Sequence, residues 1–281
     1  MRLTVVVAMV ALVLPLNGLA EEHRVVSADG AITEIIYAIG AEDQLVAVDT
    51  TSRYPAAVGE LPKVGYLRTL PFEGVLAMSP DVLITTDEAA PDETLDRLSQ
   101  AGVTIHQLPV ARTLEATAER IRGVGDVMGK RQSADQLARD MEQKVAAVIE
   151  ARAGAPTPRV LFLLAAGSHG VMVAGDNTAA QAMLDALGAE NAVEGIEGFK
   201  PAGREALLAT RPDAIVIAET RPGQFDIADW PELGSLPAWQ QGHHVAADSM
   251  LLLGFGPRLA EALATISKAL PAEAKVSQHD S

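Results

Sequence analysis

Tyr66, Leu67 and Arg68 set a phenol and a guanidinium two residues apart, and that pair suits one kind of chemistry. A phenolate is a hard anionic oxygen donor and a good axial ligand for a ferric centre. A free phenol titrates near pH 10 and is mostly neutral at ordinary pH, so ligation needs help. The ferric ion supplies most of it, and a nearby cation such as Arg68 favours the ionised form. In an extended loop the two side chains would share one side of the chain. The plain alternative is an exposed loop aromatic beside a solvated charge.

Three more residues have types and places that matter. His169, in Ala165-Ala166-Gly167-Ser168-His169-Gly170, sits just after a predicted strand, where α/β lobes present their ligand face. It reads equally well as a solvent-exposed loop histidine. Arg221 follows the Ile215-Val216-Ile217 strand and Arg258 closes Gly256-Pro257-Arg258; each could meet an anion at a cleft rim or be a surface charge. The other histidines, His23, His106, His243, His244 and His279, do not converge with carboxylates as a zinc or manganese site would need. No Gly-x-Ser-x-Gly elbow, phosphate-binding glycine loop or His-Glu-x-x-His occurs, so catalysis finds little support. An exported α/β enzyme of unknown chemistry is the alternative from another class.

The elements that must position these residues come in two copies. Residues 73–81 read E-G-V-L-A-M-S-P-D and 205–213 read E-A-L-L-A-T-R-P-D, each running into an apolar β-type stretch. Both describe a short helix with Glu73 or Glu205 in its first turn, a Pro-Asp stop and a buried strand. Upstream, Gly40-Ala41-Glu42 matches Gly188-Ala189-Glu190 at the end of an Ala/Ile-rich helix. The interval between landmarks is 16 residues longer in the first copy. That surplus falls within 43–72, the polar and aromatic segment that carries Tyr66, and a loop present on one lobe only is a natural place for function.

Residues 1–20 have one basic residue, Arg2, then a Leu/Val/Ala run and Gly18-Leu19-Ala20, the layout of a cleavable secretory signal. The sequence holds no cysteine, hence no disulfide and no lipid-bearing cysteine, and its net charge is −15. Such acidity argues against nucleic acid or an anionic membrane as main partner. Helices are expected over 113–128 and 131–153, the second roughly 33 Å long. Asp29-Gly30 and Asp176-Asn177 read as helix N-caps. The expected division is a signal peptide (1–20), an N-terminal lobe (21–130), a linking helix (131–155), a C-terminal lobe (156–272) and a polar tail (273–281). Each lobe is α/β, with a mainly parallel sheet flanked by helices.

With its signal segment, paired lobes, long linking helix and Glu-x-x-Leu-Ala-x-x-Pro-Asp in each lobe, the chain resembles the periplasmic binding proteins of iron-chelate, cobalamin and haem ABC importers. Leu61-Pro62-Lys63-Val64-Gly65-Tyr66-Leu67-Arg68 followed by Glu73-Gly74 is similar to the haem-binding branch, whose members grip haem iron with a Tyr-x-Arg loop. Met172-Val173-Ala174-Gly175-Asp176, Thr178-Ala179-Ala180 and Leu253-Gly254-Phe255-Gly256-Pro257-Arg258 look like that branch too. The resemblance implies a monomeric periplasmic protein of the helical-backbone type that delivers ferric haem b from an inter-lobe cleft. It puts Tyr66 on the iron beside Arg68, His169 on the opposite face, and Arg221 and Arg258 near the propionates. It also implies that Glu73 and Glu205 pair with arginines of the permease dimer, one per subunit, although a Glu in a first helical turn also favours the helix dipole. A ferric siderophore or cobalamin is the alternative cargo.

Overall fold

The computed structural model describes residues 23–165, 170–201 and 203–272. The predicted signal peptide, the polar tail and His169 lie outside them. The chain opens with β1 (Val25–Ala28), α1 (Gly30–Ala38), β2 (Leu45–Val48), α2 (Phe72–Leu76), β3 (Val82–Thr86), α3 (Asp92–Gln100) and β4 (Thr104–Leu108). The strands form one all-parallel sheet in the order β2-β1-β3-β4. Its central strands β1 and β3 are buried throughout, as expected of a parallel sheet covered on both faces. Asp29 turns β1 into α1: its carboxylate accepts the N–H groups of Ala31 and Ile32 at 2.8 and 3.0 Å.

Two helices follow, α4 (Leu114–Val127) and α5 (Arg131–Glu150). The linking helix α5 has 20 residues and spans about 30 Å; it ends at Glu150, short of the expected 153, in turns that lead to Gly154. The second lobe holds β5 (Arg159–Ala165), β6 (Val171–Ala174), α6 (Ala179–Ala186), β7 (Glu190–Asn191), β8 (Phe199–Pro201), α7 (Arg204–Ala209), β9 (Ala214–Glu219), α8 (Pro231–Gly234), α9 (Pro237–Gln240), β10 (His244–Asp248), α10 (Ser249–Leu253) and α11 (Leu259–Ala269). Its sheet runs β10-β9-β5-β6-β8, with β7 also beside β5. β5, β7, β9 and β10 pair in parallel, while β6 runs antiparallel to β5 and β8, so this sheet is mixed. The cap on α6 is Thr178, whose hydroxyl accepts the Gln181 N–H at 3.1 Å. The expected Asp176-Asn177 cap is thereby corrected: Asn177 has φ +59° and belongs to the turn before the helix.

The repeat is visible bond by bond. Gly40 and Gly188 take φ of +68° and +63°, and the next N–H reaches back to Ile36 O at 3.1 Å and to Leu184 O at 3.0 Å, the same helix stop twice. In each lobe the Asp of Pro-Asp ties down the leading strand: the Asp81 and Asp213 carboxylates accept the N–H of Arg24 and Arg159, both at 3.0 Å.

The lobes share their interior. One apolar cluster runs from Ile32, Ile35 and Ile84 through Ile121, Val124, Met141 and Val145 to Phe162, Val216, Leu263 and Ile266. Separate clusters fill the far face of each sheet. Helices α1, α4, α5 and α11 are thus a common layer between the sheets, and the lobes cannot part without exposing core. Polar bonds reinforce the contact. Arg258, at the start of α11, grips the Glu34 carboxylate of α1 at 2.8 and 2.5 Å and lies 3.8 Å over the Tyr54 ring. Gly30 permits the approach, since a Cβ there would stand 2.8 Å from both Thr51 O and the Met250 methyl.

Candidate functional site

Between the lobes lies a cleft of about 690 Å³, within the usual size range of small-molecule sites. Its walls are the segments that follow parallel strands: Asp29 after β1, Thr50 and Thr51 after β2, Glu88 after β3, Val110 to Arg112 after β4, Thr220 after β9 and Ser249 after β10. Ligands of α/β sheets collect at these carboxyl ends. Asn177, Thr178, Ala179, Leu253 and Gly254 also line it.

Tyr66 and Arg68 both reach this cleft. Their loop is pinned at its base: Val48 N–H donates to Pro62 O at 3.0 Å, Val64 N–H to Val48 O at 2.9 Å and Thr50 N–H to Gly65 O at 2.8 Å. Val64, Leu67 and Leu70 are buried in the first lobe's outer core, which turns Tyr66 outward and leaves it 42% exposed. Gly65 takes φ +113°, and a side chain there would meet Pro71. The expectation of an extended loop is corrected, because Leu67–Thr69 form a 3₁₀ turn with Tyr66 at its start. The two side chains face one cleft because Leu67 dips into the core between them.

Beneath this loop lies a buried polar foundation. The Asp49 carboxylate accepts from the Thr51 hydroxyl at 2.8 Å, the Ser52 hydroxyl at 2.8 Å and the Ser52 N–H at 3.2 Å. The Thr33 hydroxyl joins Ser52 to Ser27. Burial pushes the Asp49 carboxyl above the ordinary carboxylate range, and the hydroxyl donors pull it part of the way back.

Four arginines meet at the cleft. The Glu88 carboxylate bridges Arg68 and, at 3.2 Å, Arg112. Arg53 crosses to the second lobe, donating to Asp248 at 2.9 Å and to Thr220 O. Arg120, on α4, is only 4% exposed. Its donors meet carbonyls alone, Pro109 O at 3.2 Å and Gly254 O at 3.4 Å, and it forms no ion pair among the described residues. Burial pulls its guanidinium below the ordinary value, with Asp29 offsetting part of this; Asp29 in turn is pushed up by burial against the pull of Arg120. A desolvated cation with carboxylates only at a distance and no direct ion pair is costly. An anionic ligand would relieve that cost.

The other sequence candidates separate. Arg221 is exposed on the loop after β9, and its neighbour Thr220, not Arg221 itself, is on the cleft wall. Arg258, expected near the propionates, is held by Glu34 and Tyr54 and joins the two lobes; it is not among the residues that line the cleft. Glu73 and Glu205 lie away from the cleft, in the first turns of α2 and α7. Arg53, Glu88, Arg112 and Arg120 escaped the sequence reading. The first three follow β2, β3 and β4, so the carboxyl-end rule could have found them; Arg120 is inside a helix and carries no such mark.

The pattern of a known family matches residues 25–251, the family described as periplasmic binding protein. Among solved structures, the periplasmic heme-binding protein RhuT from Roseiflexus sp. RS-1 in apo form is similar at 35% identity and a TM-score of 0.80, over 88% of this chain and 97% of that one. A periplasmic heme-binding protein from Pseudomonas aeruginosa is similar at 39% identity and a TM-score of 0.79, over 90% and 94% of the two chains. Among curated relatives, the vitamin B12-binding protein of Vibrio parahaemolyticus is 28% identical over 223 residues, 79% of each chain. Two lobes on a shared helical layer, a cleft at the strand ends and a family pattern across most of the described residues agree: the chain belongs to the periplasmic binding proteins.

Proposed function

We propose that the protein captures ferric haem in the cleft and hands it to an ABC-type inner-membrane importer. The observation that carries this is Tyr66, an exposed phenol held on the wall of a cleft into which four guanidinium groups also face. Haem presents a ferric ion and two carboxylates, which are the partners a phenolate and a set of arginines would take. Tyr66 ligates the iron. Arg68 is held with Arg112 on Glu88 on the same wall, and Arg112 and Arg120 receive the propionates. His169, four residues after the end of β5 in the sequence, supplies a second ligand. The names of the solved structures above support haem over other cargo.

Export by residues 1–20 delivers a monomer to the periplasm, where Glu73 and Glu205 dock it on basic side chains of the two permease subunits. The names of several relatives favour cobalamin as a second reading. Cobalamin carries mostly carboxamides at its periphery, so it leaves most of the cleft's guanidinium groups unanswered. The test is a titration of the mature protein with hemin, followed by absorbance, beside a calorimetric titration with cyanocobalamin. Hemin should bind and develop the charge-transfer band of phenolate-ligated ferric haem, and Tyr66→Phe should lose both band and affinity. Binding of cobalamin alone, or an unchanged spectrum in the Phe variant, would overturn the reading.

A further inference from the structure

The two Glu-x-x-Leu-Ala-x-x-Pro-Asp copies share five residues, and the fold accounts for only two of them. Pro80 and Pro212 are buried, and Asp81 and Asp213 anchor the leading strands. Among the described residues the shared Glu, Leu and Ala have no comparable anchoring bond, apart from an ion pair of Glu73 with Arg97 at 3.7 Å. Helices α2 and α7 already bury Val75 and Leu207 completely, one position before the shared leucine. Leu76 and Leu208 face outward instead, 37% and 41% exposed, and Ala77 and Ala209 beside them are exposed as well. Five large apolar side chains among the described residues are open to this degree, and two of the five are this repeated pair.

A single exposed leucine is ordinary. A pair at equivalent positions is not, because the copies differ at the intervening sites, Gly74 against Ala206, Met78 against Thr210 and Ser79 against Arg211. On a helix, residues i and i+3 are surface neighbours, so Leu76 adjoins Glu73 and Leu208 adjoins Glu205. The Glu73 side chain is 82% exposed, with Arg97 no nearer than 3.7 Å.

We propose that Glu73–Leu76–Ala77 and Glu205–Leu208–Ala209 are two copies of one mixed contact, a carboxylate beside an apolar knob, and that their occupant is the two-fold symmetric permease. Each permease subunit presents a basic side chain next to an apolar socket. This rests on the docking role proposed for Glu73 and Glu205. A partner with two equivalent subunits accounts for the same three exposed residues recurring on two lobes whose cleft faces differ. The carboxylates confer a salt-sensitive attraction, and the leucines leave water on docking and add a salt-insensitive one.

The test uses the full-length mature protein, loaded with hemin, and its cognate importer in nanodiscs, with affinity measured at low and at high salt. Leu76→Ser and Leu208→Ser should each weaken docking about tenfold and the double variant by more, while hemin affinity and Tm stay at wild-type values because both side chains are exposed. Leu76→Met should restore most of the loss. The Glu73→Lys/Glu205→Lys variant separates the two readings. If it loses docking while the double Ser variant docks like wild type, the apolar knobs are wrong and the charge contacts stand. If both double variants dock like wild type, the docking role falls altogether. Self-association of the wild type in sedimentation, abolished in the double Ser variant, would assign the surface to a second copy of this chain and overturn the proposal.

Discussion

The two lobes repeat one another where the molecule needs a thing twice and diverge where it needs it once. Both have the Gly-Ala-Glu helix stop, the Pro-Asp anchor and the outward Glu and Leu, with matching bonds. Between those landmarks the first lobe carries the long segment with Asp49, Arg53, Tyr66 and Arg68, while the second has only β7, β8 and a short connection. On the proposed reading the shared parts serve as scaffold and docking surface, and the unshared segment adds Tyr66, Arg53 and Arg68 to a cleft that both lobes line. The two frames differ by one longer loop over the strand ends of the first lobe.

The sharpest way to break this division is a pair of variants with opposite effects. Tyr66→Ala should lower ferric hemin affinity at least about 100-fold, by absorbance titration, and leave importer docking intact. Glu73→Lys with Glu205→Lys should cut uptake into importer vesicles by about the same factor with hemin affinity unchanged. Loss of hemin binding in the glutamate variant would join what the repeat keeps apart.

Next in size is the foundation of the unshared loop. Asp49→Ala leaves the half-buried Thr51 and buried Ser52 donors without their acceptor, at a cost of about 2 kcal/mol, so Tm should fall by about 4–8 °C in calorimetry. Hemin affinity should fall with it, because Thr50 and Gly65 are tied to the same strand end. Arg68→Ala combined with Arg112→Ala should weaken hemin about tenfold, and the loss should shrink as salt rises. An equal loss at all salt concentrations would mean that the arginines act by packing.

The smallest effect concerns Asp29. Burial raises its carboxyl above the ordinary range, so the folded state holds that proton more tightly than the unfolded chain. Its contribution to stability falls as pH rises from the ordinary carboxylate range through the raised value, and the cost is fully present above it. Asp29→Asn keeps an oxygen to cap α1 and removes the charge. The variant should melt above wild type near pH 7, with the gap closing towards about pH 4; a gap independent of pH would assign the effect to something other than the carboxylate.

Much of the frame was legible in the sequence because its determinants are local. Buried runs such as Val82-Leu83-Ile84 and Ile215-Val216-Ile217, and the Gly and Pro-Asp stops, act within a few residues of where they stand. Tyr66 was legible for a similar reason, as an aromatic in a segment that one copy has and the other lacks. The Arg258–Glu34 pair was not legible because of distance: the partners are 224 residues apart, and nothing around Gly256-Pro257-Arg258 announces it. Arg120 was missed because a guanidinium within an amphipathic helix reads as a solvated charge. Its burial follows only once the second lobe closes over α4.

The common core has a consequence for traffic. Domains move freely against each other unless a large apolar interface joins them, and here Ile121, Met141 and Val145 lie in one cluster with residues of both sheets. The spacing between α2 and α7 is then nearly the same with the cleft full or empty. With the docking proposed for α2 and α7, empty carriers would compete with full ones for the same berth on the importer, and throughput would follow the loaded fraction of the pool and not its abundance. Making more of the carrier when cargo is scarce would slow delivery.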